Sequence, residues 1–266
     1  KELTARSVKN ILNRGGTVLK SSRSEEFRTE EGRKKAFENL QSHSIDALVL
    51  IGGDGTFTGG HIFSQEFDIP IIGIPGTIDN DLFGTDYTLG FDTATNVVID
   101  CIDKIRDTAE SHNRLFFVEV MGRDSGFIAL RAGLASGALD VILPEEKSPM
   151  KDLLGELQKG ETNQKTNKLV VVAEGNSLGN TFEIAEQVRT KFLHLESKVT
   201  ILGHLQRGGS PSCLDRVLAS QLGVAAVEGL LEGKSKVMAG LVNNKVVFTS
   251  FNDAINNKVE IDLEHI

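Results

Sequence analysis

Short runs of β-branched and aliphatic residues, several of them ending in glycine-rich turns, alternate along this sequence with longer stretches of helical periodicity. The runs are Ala47–Ile51, Ile69–Ile74, Leu115–Val120, Val141–Leu143, Leu169–Ala173 and Val199–Leu202. Each is almost continuously apolar, the pattern of a strand covered by helices on both faces of a parallel sheet. Helical patterns occupy Asp92–Ser111, Ser125–Ser136, Met150–Lys159, Glu183–Leu193 and Leu214–Glu232. In the first, Val98, Ile102 and Ile105 recur at helical spacing and Asp92 can cap the start. This alternation predicts a doubly wound α/β fold. The most polar stretch, Lys159–Lys168, reads as a surface loop.

The chain has 266 residues, 39% of them hydrophobic and 25% charged, enough for a sizeable core. Its net charge of −8 comes from interleaved acids and bases, which excludes a nucleic-acid or anionic-membrane footprint. An anionic ligand must therefore be met by local cations. The longest apolar runs, Ala47–Gly53 and Ile69–Pro75, are too short to cross a bilayer. Cys101 and Cys213 lack metal-ligand spacing and read as buried thiols of a reducing, cytoplasmic compartment. Lys1 opens the sequence without an initiator Met or a signal-peptide profile, as expected of a chain that starts mid-protein.

The 27 glycines cluster just after the expected strands, where an open α/β sheet binds its ligands. Gly52-Gly53-Asp54-Gly55-Thr56 follows the first run and precedes a helix. Its glycines would let the backbone approach a phosphate, and Asp54 can serve Mg²⁺ beside it. The same pentapeptide would also serve as a tight turn with a capping Asp. Pro75-Gly76-Thr77-Ile78-Asp79-Asn80-Asp81 follows the second run and offers two carboxylates for acid–base and metal work, or for Asx turns. Met121-Gly122-Arg123-Asp124-Ser125-Gly126 puts a cation beside a helix N-terminus. Gly203-His204-Leu205-Gln206-Arg207-Gly208-Gly209-Ser210 adds His204 and Arg207, both phosphate-binding types. One polyphosphate site, one acid–base loop and a surplus of cations imply phosphoryl transfer to a substrate that itself carries phosphate.

Taken in order, these blocks, with Gly84-Thr85-Asp86-Tyr87-Thr88-Leu89-Gly90-Phe91, resemble the ATP-dependent 6-phosphofructokinases of bacterial type over nearly the whole chain. Gly-Gly-Asp-Gly-Thr also occurs in NAD, diacylglycerol and sphingosine kinases; the Thr-Ile-Asp-Asn-Asp loop and the Gly-His-Leu-Gln-Arg-Gly-Gly block are far more specific. The resemblance implies Asp79 as the base for the 1-hydroxyl of fructose 6-phosphate, assisted by Thr77 and Arg123, and Asp54 as the residue serving Mg²⁺. It implies that Arg23, Ser24, Gly53, Asp54, Gly55 and Thr56 meet ATP. Thr77, Ile78, Asp79, Met121, Gly122, Arg123, Glu174, His204 and Arg207 would hold the sugar phosphate, joined by Arg114 and Lys198 from a neighbouring subunit of a homotetramer. Arg106 and Lys165 match basic positions of an allosteric effector site.

The same resemblance implies two Rossmann-like domains, an ATP-binding one at 1–90 and 206–256 and a fructose 6-phosphate-binding one at 91–205 and 257–266. The sequence departs from the family pattern in three places. The usual opening strand, Gly-Gly-Asp-x-x-Gly-x-Asn loop and helix are missing, Lys198 stands where an Arg is usual, and Leu139 stands where an acid often is. Pyrophosphate-dependent relatives usually carry Asp at position 55 and Lys at 76; Gly55 and Gly76 leave room for a nucleotide and point to ATP as donor. The competing readings are a pyrophosphate-dependent enzyme and a non-catalytic regulatory subunit that binds sugar phosphate. Retention of Asp54, Asp79 and Asp81 speaks against the second.

Overall fold

The structure is a computed structural model that describes residues 2–112, 114–147, 149–162, 168–257 and 259–261. It divides into two compact units. Unit 1 gathers the residues up to Thr77, Asp81–Gly90 and Pro211–Val259; unit 2 gathers Ile78–Asn80, Phe91–Ser210 and the tail from Glu260.

In unit 1, α1 (Glu30–Ser42), β1 (Leu48–Gly52), α2 (Asp54–Glu66) and β2 (Ile71–Pro75) come first; α7 (Cys213–Leu231), β7 (Val237–Val242), β8 (Lys245–Ser250) and α8 (Phe251–Asn256) come late in the chain. The sheet order is β1-β2-β7-β8. β1, β2 and β7 are parallel, with Leu48 opposite Ile71 and Gly52 opposite Pro75, while β8 returns antiparallel to β7. β2 is buried along its whole length because it has a core on each side. Phe57, Phe63, Ile71, Met238 and Phe251 fill one core, and Ile72, Ile74, Leu218, Leu222 and Ala239 fill the other. Burying side chains of this size stabilises by about 1.5–3 kcal/mol each.

Unit 2 contains α3 (Phe91–His112), β3 (Arg114–Val120), α4 (Phe127–Ser136), β4 (Asp140–Ile142), α5 (Pro149–Thr162), β5 (Leu169–Ala173), α6 (Thr181–Lys191) and β6 (Glu196–Ile201). Its four strands are all parallel, in the order β4-β5-β3-β6. α5 and α6 cover one face through Leu153, Leu157, Ile184 and Val188, which pack with Leu115, Phe117, Val170 and Val172. α3 and α4 pack against β3 and β5 with Val98, Ile102, Ile128 and Ala132 buried. Both units are thus α/β layers with mostly parallel sheets, as the alternation predicts.

Four expectations are corrected. Continuous burial holds for β2 and β5 and nearly so for β3, but not for the edge strands: β1 alternates, with Val49 and Ile51 38% and 58% exposed because it is covered on one face only among the described residues, and Ile201 of β6 is 50% exposed. β6 begins at Glu196, three residues before its apolar run, because ladder pairing with β3 holds its polar start. The cysteines are not buried: Cys213 is exposed on the first turn of α7 and Cys101 is half-buried on α3. The expected loop at 159–168 is helical as far as Thr162, and Asn163–Asn167 lie outside the described residues.

Candidate active site

Parallel strands deliver their carboxyl ends to the same edge of a sheet, so the glycine clusters of each unit gather there. In unit 1 the ends of β1 and β2 are held together by Gly76 N–H donating to the Gly52 carbonyl at 2.9 Å. Close packing fixes which residues fit. A Cβ on Gly52 would stand 2.2 Å from Thr56 Oγ1, and one on Gly76 would stand 3.1 Å from Ile51 Cγ2. Gly76 thus sits where two strands approach closely, and a side chain there would make Ile51 give by a few tenths of an ångström. Gly55 differs, because a Cβ there would meet nothing within 4 Å.

Gly53 is the N-cap of α2, and the exposed Asp54 is its first residue, with Oδ1 accepting the Gly55 N–H at 2.7 Å. The dipole of this helix start favours an anion, and the exposed carboxylate beside it suits a cation that would accompany it. Thr77 is anchored through its carbonyl, which accepts from the buried Thr88 hydroxyl at 2.7 Å. Arg23 and Ser24 lie exposed in the irregular segment before α1, where Ser24 Oγ accepts the Phe27 N–H at 3.2 Å.

Unit 2 is organised by side chains. Asp79 is partly buried, with its Oδ1 inaccessible, and its carbonyl accepts from Ser125 Oγ at 2.9 Å. That bond ties the acid–base loop to the Met121–Gly126 segment after β3. Ile78 is 8% exposed, so what it can offer a ligand is main chain. Met121–Arg123 is bound twice more: Gln206 Oε1 accepts the Met121 N–H at 3.1 Å, and Glu174 Oε1 accepts the N–H groups of Gly122 and Arg123 at 3.3 and 2.8 Å. Gly122 has φ +147°, and a Cβ on it would lie 2.3 Å from the Ser125 carbonyl oxygen, so only glycine fits this turn. His204 and Arg207 project exposed from a short 3₁₀ turn, Gly203–Arg207, that buries Gln206. The carboxyl ends of β3, β5 and β6 thus bring Arg123, Glu174, His204 and Arg207 to one edge of unit 2, with Asp79 tied in.

Gln206, Ser125 and Gly175 were not singled out by sequence reasoning. Gly175 follows Glu174, and a Cβ there would meet the Arg123 carbonyl oxygen at 1.9 Å. The signal for Gln206 was its place between His204 and Arg207. Two further sequence-derived residues meet at the other end of β3: Arg114 Nε donates to Glu196 Oε2 and Lys198 Nζ to Glu196 Oε1, each at 2.7 Å. Bonds from Lys198 and Arg114 hold the Glu196 carboxyl down to about 2. Arg106 donates to the Ser136 carbonyl at the C-terminus of α4, a place where a cation complements the helix dipole. Lys165 lies outside the described residues.

Glycine-rich turns and exposed cations at the strand ends of an α/β fold are the features that suit phosphorylated ligands. A family model described as Phosphofructokinase matches residues 1–230. The ATP-dependent 6-phosphofructokinase of Cytophaga hutchinsonii is 52% identical over 261 residues, covering 98% of this chain and 80% of the relative. ATP-dependent 6-phosphofructokinase 1 of Thermus thermophilus is 51% identical over 260 residues, with the same 98% and 80% coverage. A solved phosphofructokinase from Saccharomyces cerevisiae superposes with a TM-score of 0.89 at 36% identity, covering 96% of this chain and 38% of the yeast chain. The chain belongs to the phosphofructokinase family.

Proposed function

We propose that this chain catalyses ATP-dependent phosphorylation of fructose 6-phosphate to fructose 1,6-bisphosphate, a step of glycolysis. One observation carries the reading beyond family membership: unit 2 gathers Arg123, His204 and Arg207 at the strand ends while the Ser125 hydroxyl ties in the Asp79 loop. Cations there suit a phosphorylated acceptor, and the carboxylate suits its hydroxyl. Asp79 takes the proton of the 1-hydroxyl as that oxygen attacks the γ-phosphorus, and the bond from phosphorus to the β-phosphate oxygen breaks in line, releasing ADP. Arg123 and Thr77 offset the charge on the transferring group. Met121, Gly122, Glu174, His204 and Arg207 hold the sugar phosphate, and Glu174 also fixes the loop that carries Arg123.

Gly53, Gly55, Thr56, Arg23 and Ser24 bind ATP along the start of α2. Asp54 would hold Mg²⁺, which takes one or two carboxylates plus phosphate oxygens and supplies charge neutralisation when bound; an exposed carboxylate at an anion-favouring helix start fits that donor set. Among the described residues no three His, Cys, Asp or Glu side chains gather as a metal site and no helix is long and apolar enough to cross a membrane. The reading includes a cytoplasmic homotetramer in which Arg114 and Lys198 reach the 6-phosphate of a neighbouring subunit, and Arg106 and Lys165 as effector cations. It sets the ATP-binding domain at residues 1–90 and 206–256 and the fructose 6-phosphate-binding domain at 91–205 and 257–266, with Asp79 and Arg207 serving the acceptor from the first.

The open space at Gly55 supports a nucleotide over pyrophosphate as donor, since a Cβ there would meet no atom of the described residues within 4 Å and the glycine leaves that space to a ligand. A coupled assay run with each donor at matched Mg²⁺ tests this. Higher kcat/KM with ATP is expected, and higher kcat/KM with pyrophosphate would overturn it.

A further inference from the structure

We propose that Glu196 is a positioning residue for the acceptor's phosphate, holding Arg114 and Lys198 side by side as one two-cation clamp. The inference rests on the reading that these two cations bind the 6-phosphate. It deepens that reading by naming the group that sets their geometry.

The clamp follows from strand register. β3 and β6 pair in parallel with Arg114 directly opposite Glu196, and Lys198 lies two residues along β6, on the same face of the sheet. Each carboxylate oxygen takes one cation, Oε2 the Arg114 Nε and Oε1 the Lys198 Nζ, both at 2.7 Å. The side chains of Arg114, Glu196 and Lys198 are 29%, 50% and 46% exposed. Ion pairs this open to water contribute little to fold stability, so holding the sheet is a weak reason for the arrangement. Its stronger consequence is local. Two like charges on adjacent strands repel, and the shared carboxylate offsets that repulsion while restricting two long, flexible side chains.

The alternative physical outcome is competition, in which the carboxylate occupies the cations and weakens phosphate binding. Donor arithmetic argues against it. Only one nitrogen of each cation is engaged in these bonds, and both guanidinium and ammonium carry further N–H donors that an approaching phosphate can use. Lys198 sharpens the point. A lysine is a point charge on a four-carbon stem without the fork that pre-orients an arginine, so it gains more from being held. Glu196 is ionised across the whole physiological range, because its bonds to Lys198 and Arg114 depress its proton affinity, so the clamp does not open with ordinary changes of pH.

The test uses the full-length assembled enzyme, with size-exclusion chromatography confirming that each variant keeps the wild-type oligomer. Lys198→Ala should raise KM for fructose 6-phosphate about tenfold, and Glu196→Gln should raise it about threefold to tenfold, with KM for ATP and kcat within about twofold of wild type. The double variant should lose less than the product of the two single losses. If Lys198→Ala leaves KM for the sugar phosphate unchanged, the phosphate reading itself fails. If Lys198→Ala raises KM while Glu196→Gln leaves it unchanged or lowers it, the reading stands and the clamp is overturned. A Glu196→Gln enzyme with a lower Tm and both KM values raised together would make Glu196 a fold element, which also overturns the proposal.

Discussion

The two units build their strand-end sites by different means. In unit 1 the shape comes from what is missing: Gly52 and Gly76 let the ends of β1 and β2 close on each other, and Gly55 leaves a space that the protein does not fill. In unit 2 the shape comes from what is added, because Glu174, Gln206 and Ser125 each hold a loop through its backbone. The difference has a chemical rationale. A polyphosphate is bound largely by main-chain N–H groups and a helix dipole, which a side chain at a glycine position would obstruct. A sugar phosphate must be oriented to within a fraction of an ångström for one hydroxyl to react, which requires loops whose conformation is fixed beforehand. Errors in unit 1 should therefore arise from adding atoms, and errors in unit 2 from removing them.

The largest effect should follow from removing charge in unit 2. Asp79→Asn keeps the size and the carbonyl that accepts from Ser125, yet kcat should fall by about 10²–10⁴-fold with little change in either KM. Steady-state kinetics in both substrates measures this, and near-normal turnover would take Asp79 out of the role of base.

A smaller effect is expected from adding atoms in unit 1. Gly55→Asp meets no protein atom within reach, so Tm should be unchanged or slightly raised, because glycine is a poor helix residue. The kcat/KM for ATP should nonetheless drop about tenfold to a hundredfold, or about 1.4–2.7 kcal/mol, because the new carboxylate repels nucleotide phosphate. Calorimetry and kinetics on one sample read both quantities; unchanged use of ATP would show that Gly55 does not face the donor.

The smallest effect separates the units by pH. Partial burial pushes the Asp140 carboxyl of unit 2 up to about 7, with Glu146, Glu156 and Asp152 adding to the shift against the Val141 N–H that opposes it. Below about pH 4 the group is protonated both folded and unfolded and costs nothing. As pH rises towards 7 the unfolded chain gives up this proton more readily than the folded one, so unit 2 loses stability across that window and levels off above it. In unit 1 the Arg33 side chain holds Glu66 below its usual range, so that contribution is instead lost as pH falls. Asp140→Asn should stabilise by about 1–2 kcal/mol at pH 8, discounted for the water that reaches the carboxyl, and by much less at pH 5. Thermal unfolding at the two pH values checks this, and equal gains at both would remove Asp140 as the cause.

Much of this architecture was legible because β2, β3 and β5 are buried on both faces and therefore read as uninterrupted apolar runs. The β7–β8 hairpin was missed although both strands carry short apolar runs, because Gly240 interrupts the run of β7 and the edge strand β8 is only partly buried; the clearest signal was the Asn243-Asn244 pair at the turn. α1 was missed because its charged sequence, EEGRKKAFENLQS, presents only a narrow apolar stripe. The positions of the site residues were readable from motifs, since glycines and charges at strand ends are local features. What fixes the loops was not readable. Gln206 reaches Met121 and Glu196 reaches Arg114 because β6 lies beside β3, and the order β4-β5-β3-β6 is a property of the sheet that no window of sequence displays.

The hairpin that closes unit 1 has a practical consequence. Asn243 and Asn244 both adopt positive φ, at 50° and 60°, and both are exposed, while Val242 and Lys245 already pair across them. The strands are thus tied together below the tip, and the Asn243 N–H, donating to Asp86 Oδ2 at 2.7 Å, anchors the tip itself. Chains tolerate interruption at exposed tips of this kind, and lengthening such a loop costs little because closure entropy grows only logarithmically with length. Because β7 runs parallel to β1 and β2, this tip lies at the same carboxyl edge of the unit 1 sheet as their glycine-shaped ends, so a fluorescent reporter spliced between Asn243 and Asn244 would sit on the edge that carries the candidate donor site, without touching either terminus.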